Sequence, residues 1–244
     1  MRFIRLFWFH LKIYATNQYF IWLTISSTVS IFLLQFVMAY STHNLNDPSL
    51  WLRSGVFGLW SSATTSAGCI GFQRFQGTLP YITNTRIDSR VSLMALLLPA
   101  SSFGLLAFPI SYLLAIILGV NHANLSWSIV FLVLALWISA SLMDFLIAAF
   151  FLLTTNAIVY EELVTIPLLL VSGLFSTAPI LKPILAPFQW LVPISAPVHA
   201  LLNQSANFNF LAFLTSCLLW IVVTWFVANR VILIAKRTGN VGLM

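Results

Sequence analysis

An all-α polytopic membrane protein with six transmembrane helices is the fold class that this sequence predicts, on three observations. Hydrophobic residues make up 60% of the chain and charged residues only 7%, whereas a water-soluble domain carries about 25% charged residues to cover its surface. The apolar residues are gathered into six long blocks, each close to the roughly 20 residues that a helix needs to cross a hydrocarbon core. Lys and Arg collect in short segments at the ends of those blocks. A spanning barrel is excluded, because its segments of about ten residues would alternate in polarity and these do not.

Taken in order, residues 1–18, "MRFIRLFWFHLKIYATNQ", predict an amphipathic helix. At 100° per residue Arg2, Arg5 and Lys12 fall on one side and Phe3, Ile4, Phe7, Leu11 and Tyr14 on the other. Such a helix lies in the cytoplasmic interface, its apolar face in lipid and its cations at anionic headgroups. Residues 19–244 then form one six-helix domain with spans at 19–40, 54–72, 91–120, 127–155, 157–178 and 208–235. The first span is too long for a signal-peptide core and is read as retained.

Arg2, Arg5 and Lys12, then Arg74, Arg86 and Arg90, then Arg230, Lys236 and Arg237 fall on one side of six alternating spans, with only Arg53 and Lys182 opposite. The positive-inside bias therefore places both termini in the cytoplasm. The net charge of +6 follows from this address and does not form a nucleic-acid patch, so no nucleic-acid partner is expected.

Chemistry-bearing residues are few. Cys69 and Cys217 sit inside predicted spans as packing residues, and with four scattered His they predict no metal site and no disulfide framework. Asp144 is the only acid deep within a span, where ionisation costs about 2.5–3.5 kcal/mol on insertion scales. With Ala140, Ser141 and Ala148 beside it, it faces either a translocation path or a neighbouring helix as a hydrogen-bonded structural acid; the second reading is preferred. Gly55, Gly58, Ser62 and Ser66 mark a small face on the second span that suits close helix packing. Glu161 and Glu162 form the only acidic pair. They start the fifth helix, where acids complement its dipole, or they pair with a partner or with the leader. An intramembrane protease would need Arg where Ile166 stands, and no catalytic residue is assigned.

The connector between the second and third spans, residues 72–90, reads "FQRFQGTLPYITNTRIDSR". It is longer than most links between packed helices and carries apolar residues that a solvated loop does not need. A short helix pressed into a partner's groove would account for Phe72, Phe75, Leu79, Tyr81 and Ile82. Residues 179–199 hold Pro179, Pro183, Pro187, Pro193 and Pro197. This density breaks any straight helix and predicts short helices that dip partway into the outer leaflet. Trp190 suits the outer interface as an anchor.

The stretch "RFQGTLPYITNTRIDSR" resembles the signature of the type 2 ABC transporter permeases, in which E-x-x-x-G-T-L-x-x-L precedes a turn and the third span. Gly77, Thr78 and Leu79 match it, with Ile82 in the usual apolar place; Gln73, Arg74 and Gln76 stand where acids are common and Pro80 where Glu is common. "WLVPISAPVHALL" is similar to the family's stretch before its last span, and the leader and six-span plan are similar throughout. The resemblance implies a multi-pass permease of the bacterial cytoplasmic membrane that exports a cargo. It makes Arg74, Phe75, Gly77, Thr78, Leu79 and Ile82 a coupling helix for the ATPase, and Pro179, Pro183, Pro187 and Pro193 part of an outer gate. The chain has no phosphate-binding loop of the G-x-x-x-x-G-K-[ST] kind. ATP and Mg would therefore be bound by separate ATPase subunits, and a second permease, identical or related, would complete the path within membrane lipids. An ion- or proton-coupled transporter and a non-transporting scaffold are the competing classes.

Overall fold

Long apolar blocks in lipid must satisfy every backbone polar group internally, and among the described residues every regular element is a helix. The structure, a computed structural model, describes residues 2–83, 88–121, 125–154, 157–175, 182–203 and 208–237. Its elements are α1 (Arg2–Thr16), α2 (Gln18–Ser41), α3 (Ser49–Phe75), α4 (Leu79–Thr83), α5 (Ser89–Ser102), α6 (Ala107–Ile117), α7 (Trp127–Phe151), α8 (Ala157–Val171), α9 (Lys182–Leu191), α10 (Ser195–Leu202) and α11 (Phe210–Arg237).

The chain is a multi-pass membrane protein. Among the described residues four helical stretches are long and apolar enough to cross a bilayer: α2, α5 with α6, α7, and α11. A fifth is obtained if α9 and α10, bent by 114° at the break between them, count as one span. The six predicted spans correspond to helices, but α3 and α8 do not pass that test. In α3 the cause is composition: its 27 residues carry Ser, Thr and Gly because it runs through the middle of the bundle, against α2, α5, α6 and α7. Its neighbours are protein, so lipid solubility is not asked of it. Ser54, Thr64 and Thr65 engage their hydroxyls on backbone one turn back, Ser54 to the Leu50 carbonyl (2.9 Å) and Thr64 to the Trp60 carbonyl (3.1 Å). The described part of α8 has 15 residues, shorter than a full crossing.

Contact registers fix the direction of each helix. Trp51 meets Tyr112, Gly55 meets Phe108 and Gly58 meets Ala107, so α6 runs antiparallel to α3. Ser66 bonds to Asp144 and Arg74 to the end of α7, so α7 runs parallel to α3. Ala135 packs with Phe213 and Cys217, while Phe151 shares a cluster with Val231 and Ala235, which makes α11 parallel to α7 as well.

Between α5 and α6 the helix tightens to a 3₁₀ turn at Phe103–Leu106. Pro109 has no N–H for the Leu105 carbonyl and its ring crowds that position, which favours the tighter turn there. The small face on α3 serves close approach there. A Cβ on Gly58 would stand 2.0 Å from the Thr28 hydroxyl oxygen and 2.7 Å from the Ala107 Cβ, and one on Gly104 3.0 Å from the Leu59 carbonyl oxygen. At the start of α5, Arg90 pairs with Asp88 at 2.8 Å and lies over the Trp225 ring at 3.7 Å, tying α11 to α5.

The leader differs from its expected placement. α1 is helical, yet the centre of its apolar face is against protein: Tyr14 is fully buried, packed on Phe20 at 4.6 Å between ring centroids and grouped with Leu96, Ala100 and Phe103. Ile4 and Trp8 on the flank remain exposed for lipid, with Arg5 and Lys12 exposed on the far side. A single-residue link at Asn17, which caps α2 through its side chain, turns α1 back to lie along α5.

Candidate functional site

The connector follows from how α3 ends. Gly77 adopts φ +69°, the left-handed conformation that terminates helices and that other residues reach only at a cost. The Gly77 N–H donates to the Arg74 carbonyl (2.9 Å) and the Thr78 N–H to the Gln73 carbonyl (3.0 Å), the paired bonds of a Schellman cap. The Thr78 carbonyl then accepts from Tyr81 (3.1 Å) and Ile82 (3.2 Å), which starts α4. The Thr78 hydroxyl donates to the Gln73 side-chain and backbone oxygens, locking the turn onto α3.

Leu79 is fully buried, in the cluster formed by Ile70, Leu93, Leu97 and the ends of α7 and α11. Ile82 packs against the cluster around Tyr14 and Leu96, with α4 lying against α5. Arg74 donates to the carbonyls of Thr154, Phe151 (3.3 Å) and Leu152 (2.8 Å). A guanidinium there satisfies the orphan carbonyls at the end of α7 and complements its dipole.

Six residues were expected to form one docking surface, and the structure divides them. Arg74, Thr78, Leu79 and Ile82 hold the connector to its own bundle, while Gly77 supplies the turn. Phe75, 90% exposed, is the member that faces outward, and it is joined by Tyr81 at 72%. Tyr81 was legible as one of the connector's apolar residues, but a helix of five residues has no periodicity from which to assign its face. Arg86 lies outside the described residues.

Asp144 is 1% exposed and its carboxylate accepts from the Ser66 hydroxyl across the α3–α7 interface. Ser141, one turn earlier, shares a 3.0 Å hydrogen bond with Ser101 of α5. The two residues expected together are therefore together, bound to two different neighbouring helices. Glu161 and Glu162 fall in the second turn of α8, not at its cap; their side chains lie outside the described part.

No protein-family model, curated protein or solved structure matches the chain. Geometry alone therefore speaks for the site.

Of the gate prolines, Pro179 lies outside the described residues. Pro183 occupies the first turn of α9, Pro187 its interior and Pro193 the break before α10. The bend is held from two sides. The Trp220 indole N–H donates to the Leu191 carbonyl at 2.7 Å, and His199 Nε2 lies 3.4 Å from Gln189 Oε1. Gly173, at φ +81°, ends α8 against the same His199 ring. Trp190 is 64% exposed. Among the described residues no group of His, Cys, Asp or Glu could hold a metal ion.

Proposed function

We propose that this chain is the membrane-spanning permease subunit of an ATP-driven ABC exporter, coupled through its α3–α4 connector to separate ATPase subunits. One observation carries the reading: the connector is anchored from within by Leu79 and Arg74 and presents two exposed aromatic rings, Phe75 and Tyr81, beside a rigid turn. A segment built to transmit force needs both properties, since a loosely attached loop would absorb a partner's motion and an anchored polar one would give it no grip. The basic residues agree. Arg5, Lys12, Arg74 and Arg90 gather at the connector end and Arg53 stands at the other, an asymmetry that supports a cytoplasmic connector end under the positive-inside rule.

In this reading α3 and α8 complete six crossings, α9 and α10 form the outer re-entrant pair, and a second permease completes the path. ATP binding closes the ATPase dimer, and the connector passes that motion to α3. The test is affinity purification from the native host in mild detergent, comparing wild type with Phe75→Asp/Tyr81→Asp. An ATPase subunit should accompany the wild type and be lost from the double variant while its elution profile stays monodisperse. Absence of any ATPase from wild type, even after crosslinking, would sink the proposal.

A further inference from the structure

The passage from α2 to α3, residues 42–53, reads "THNLNDPSLWLR" and places Asp47 and Arg53 at the end of the bundle opposite the connector. The segment is held in place. His43 turns the chain at φ +53°, and the Asn44 N–H donates to the Ala39 carbonyl (2.8 Å). Asn121, just past α6, donates to the Leu45 (3.3 Å) and Asn46 (3.2 Å) carbonyls. Asp47 Oδ1 accepts from the Ser49 N–H at 2.9 Å, the side-chain turn that starts α3.

Between this fixed link and the last turns of α2 lies a cavity of about 200 Å³. Gln35, Met38 and Asn44 line it on one side, and Asp47, Leu50 and Arg53 on the other. Among the described residues neither charge is paired. Arg53 makes no hydrogen bond or ion pair, and its Nε, shut away from solvent, has no acceptor. Asp47 makes no ion pair, and only its Oδ1 is engaged. A buried guanidinium nitrogen without an acceptor is unfavourable until a ligand supplies one.

The two charges select the ligand together. A lone anion at Arg53 would meet the Asp47 carboxylate, and a lone cation at Asp47 would meet the guanidinium, so a group carrying both signs suits the pocket best. The arginine fork matches phosphate oxygens. A carboxylate oxygen takes an N–H, which a primary ammonium has and a quaternary one lacks. Position adds the rest. α2 has 24 residues and a length of about 36 Å, more than the hydrocarbon core of about 30 Å, so its last turns stand at headgroup level. Met38, on the pocket wall, is 61% exposed on this bilayer-crossing helix, which turns the apolar side of the pocket toward lipid.

We infer that this pocket binds the headgroup of a phospholipid with a primary ammonium, its phosphate on Arg53 and its ammonium on Asp47, while the acyl chains stay in the bilayer beside α2. The inference stands apart from the exporter reading.

The test uses the purified full chain in mixed micelles holding equal amounts of phosphatidylethanolamine, phosphatidylcholine and phosphatidylglycerol with identical acyl chains, the retained lipid being read by native mass spectrometry. Wild type should favour phosphatidylethanolamine about tenfold over either competitor, equivalent to about 1.4 kcal/mol. Arg53→Gln should lose that preference, and Arg53→Lys should keep part of it. Asp47→Asn retains an acceptor for the Ser49 N–H and should shift the preference to phosphatidylglycerol, because Arg53 is then unopposed. Thermal midpoints in lipid-free detergent should match the wild type. Equal retention of the three lipids by wild type would overturn the inference, as would a preference that ignores both substitutions. An Arg53→Gln variant with a lowered midpoint and the wild-type lipid preference would reduce the two charges to an ion pair and would also overturn it. Full displacement by glycerophosphoethanolamine at the lipid's own concentration would make the ligand a soluble one and sink the lipid assignment.

Discussion

Replacing Gly58 by alanine adds one methyl group at the crossing of α2, α3 and α6. The new Cβ would stand 2.0 Å from Thr28 Oγ1 and 2.7 Å from Ala107 Cβ, so ordinary contact requires both neighbours to retreat. Thr28 can turn aside only by giving up the 2.7 Å bond from its buried hydroxyl to the Thr24 carbonyl, a loss of about 1–3 kcal/mol. Ala107 moves only with its backbone, and overpacking of this kind costs about 1–3 kcal/mol. Alanine returns about 1 kcal/mol of helix propensity, leaving a net destabilisation of about 1–5 kcal/mol. In detergent this lowers the midpoint of thermal unfolding, followed by fluorescence-detected gel filtration, by roughly 2–20 °C. Gly71→Ala makes the same chemical change thirteen residues on, into open space, and leaves the midpoint unchanged or slightly higher. Thr28→Ala combined with Gly58→Ala recovers part of the loss as a coupling between neighbours. Equal effects of the two glycine substitutions would refute the three-helix packing described here.

Asp144→Asn keeps an acceptor for Ser66 and should preserve both stability and transport, whereas Asp144→Leu strands the Ser66 hydroxyl and costs about 1–3 kcal/mol; transport lost in a stable Asp144→Asn variant would instead favour a proton-coupled carrier. Arg74→Ala removes the guanidinium from the end of α7 and should speed hydrogen exchange at residues 150–154, with Arg74→Lys only a partial remedy because one ammonium cannot fork to several carbonyls. Gly77→Ala forces a side chain into φ +69°, a strain of about 1–2 kcal/mol, and should raise protease cleavage at the connector. Burial holds the His10 imidazole below its ordinary value of 6.5, so the folded state favours the neutral ring. Docking of α1 is then complete above pH 6.5 and weakens as pH falls through the depressed value; labelling of a cysteine placed at Leu11 should rise on acidification in wild type and not in His10→Phe.

Helix positions were legible because lipid imposes a length and polarity that neighbours in sequence must meet together. The blocks at 19–40, 127–155 and 208–235 coincide with α2, α7 and α11 within a few residues. Gly55, Gly58 and Ser66 announced close packing, which they serve. What the residues could not announce is pairing over distance: the ligands of Arg74 stand 77 to 80 positions away, and nothing in "QRFQGTL" distinguishes the buried Leu79 from the exposed Phe75. The inward face of α1 was hidden for a related reason, since Tyr14 pressed on protein and Tyr14 dipped into lipid obey the same periodicity.

The bonds from Ser66 to Asp144 and from Arg74 to the end of α7 lie eight residues apart on α3, about 12 Å along the axis. Two fixed points on parallel rods oppose both sliding and relative rotation, so α3 and α7 form a single beam. The close crossing of Gly58 with Thr28 and Ala107 adds α2 and α6 to it, so under the proposed function a push delivered at Phe75 and Tyr81 would be borne by four helices and not by α3 alone.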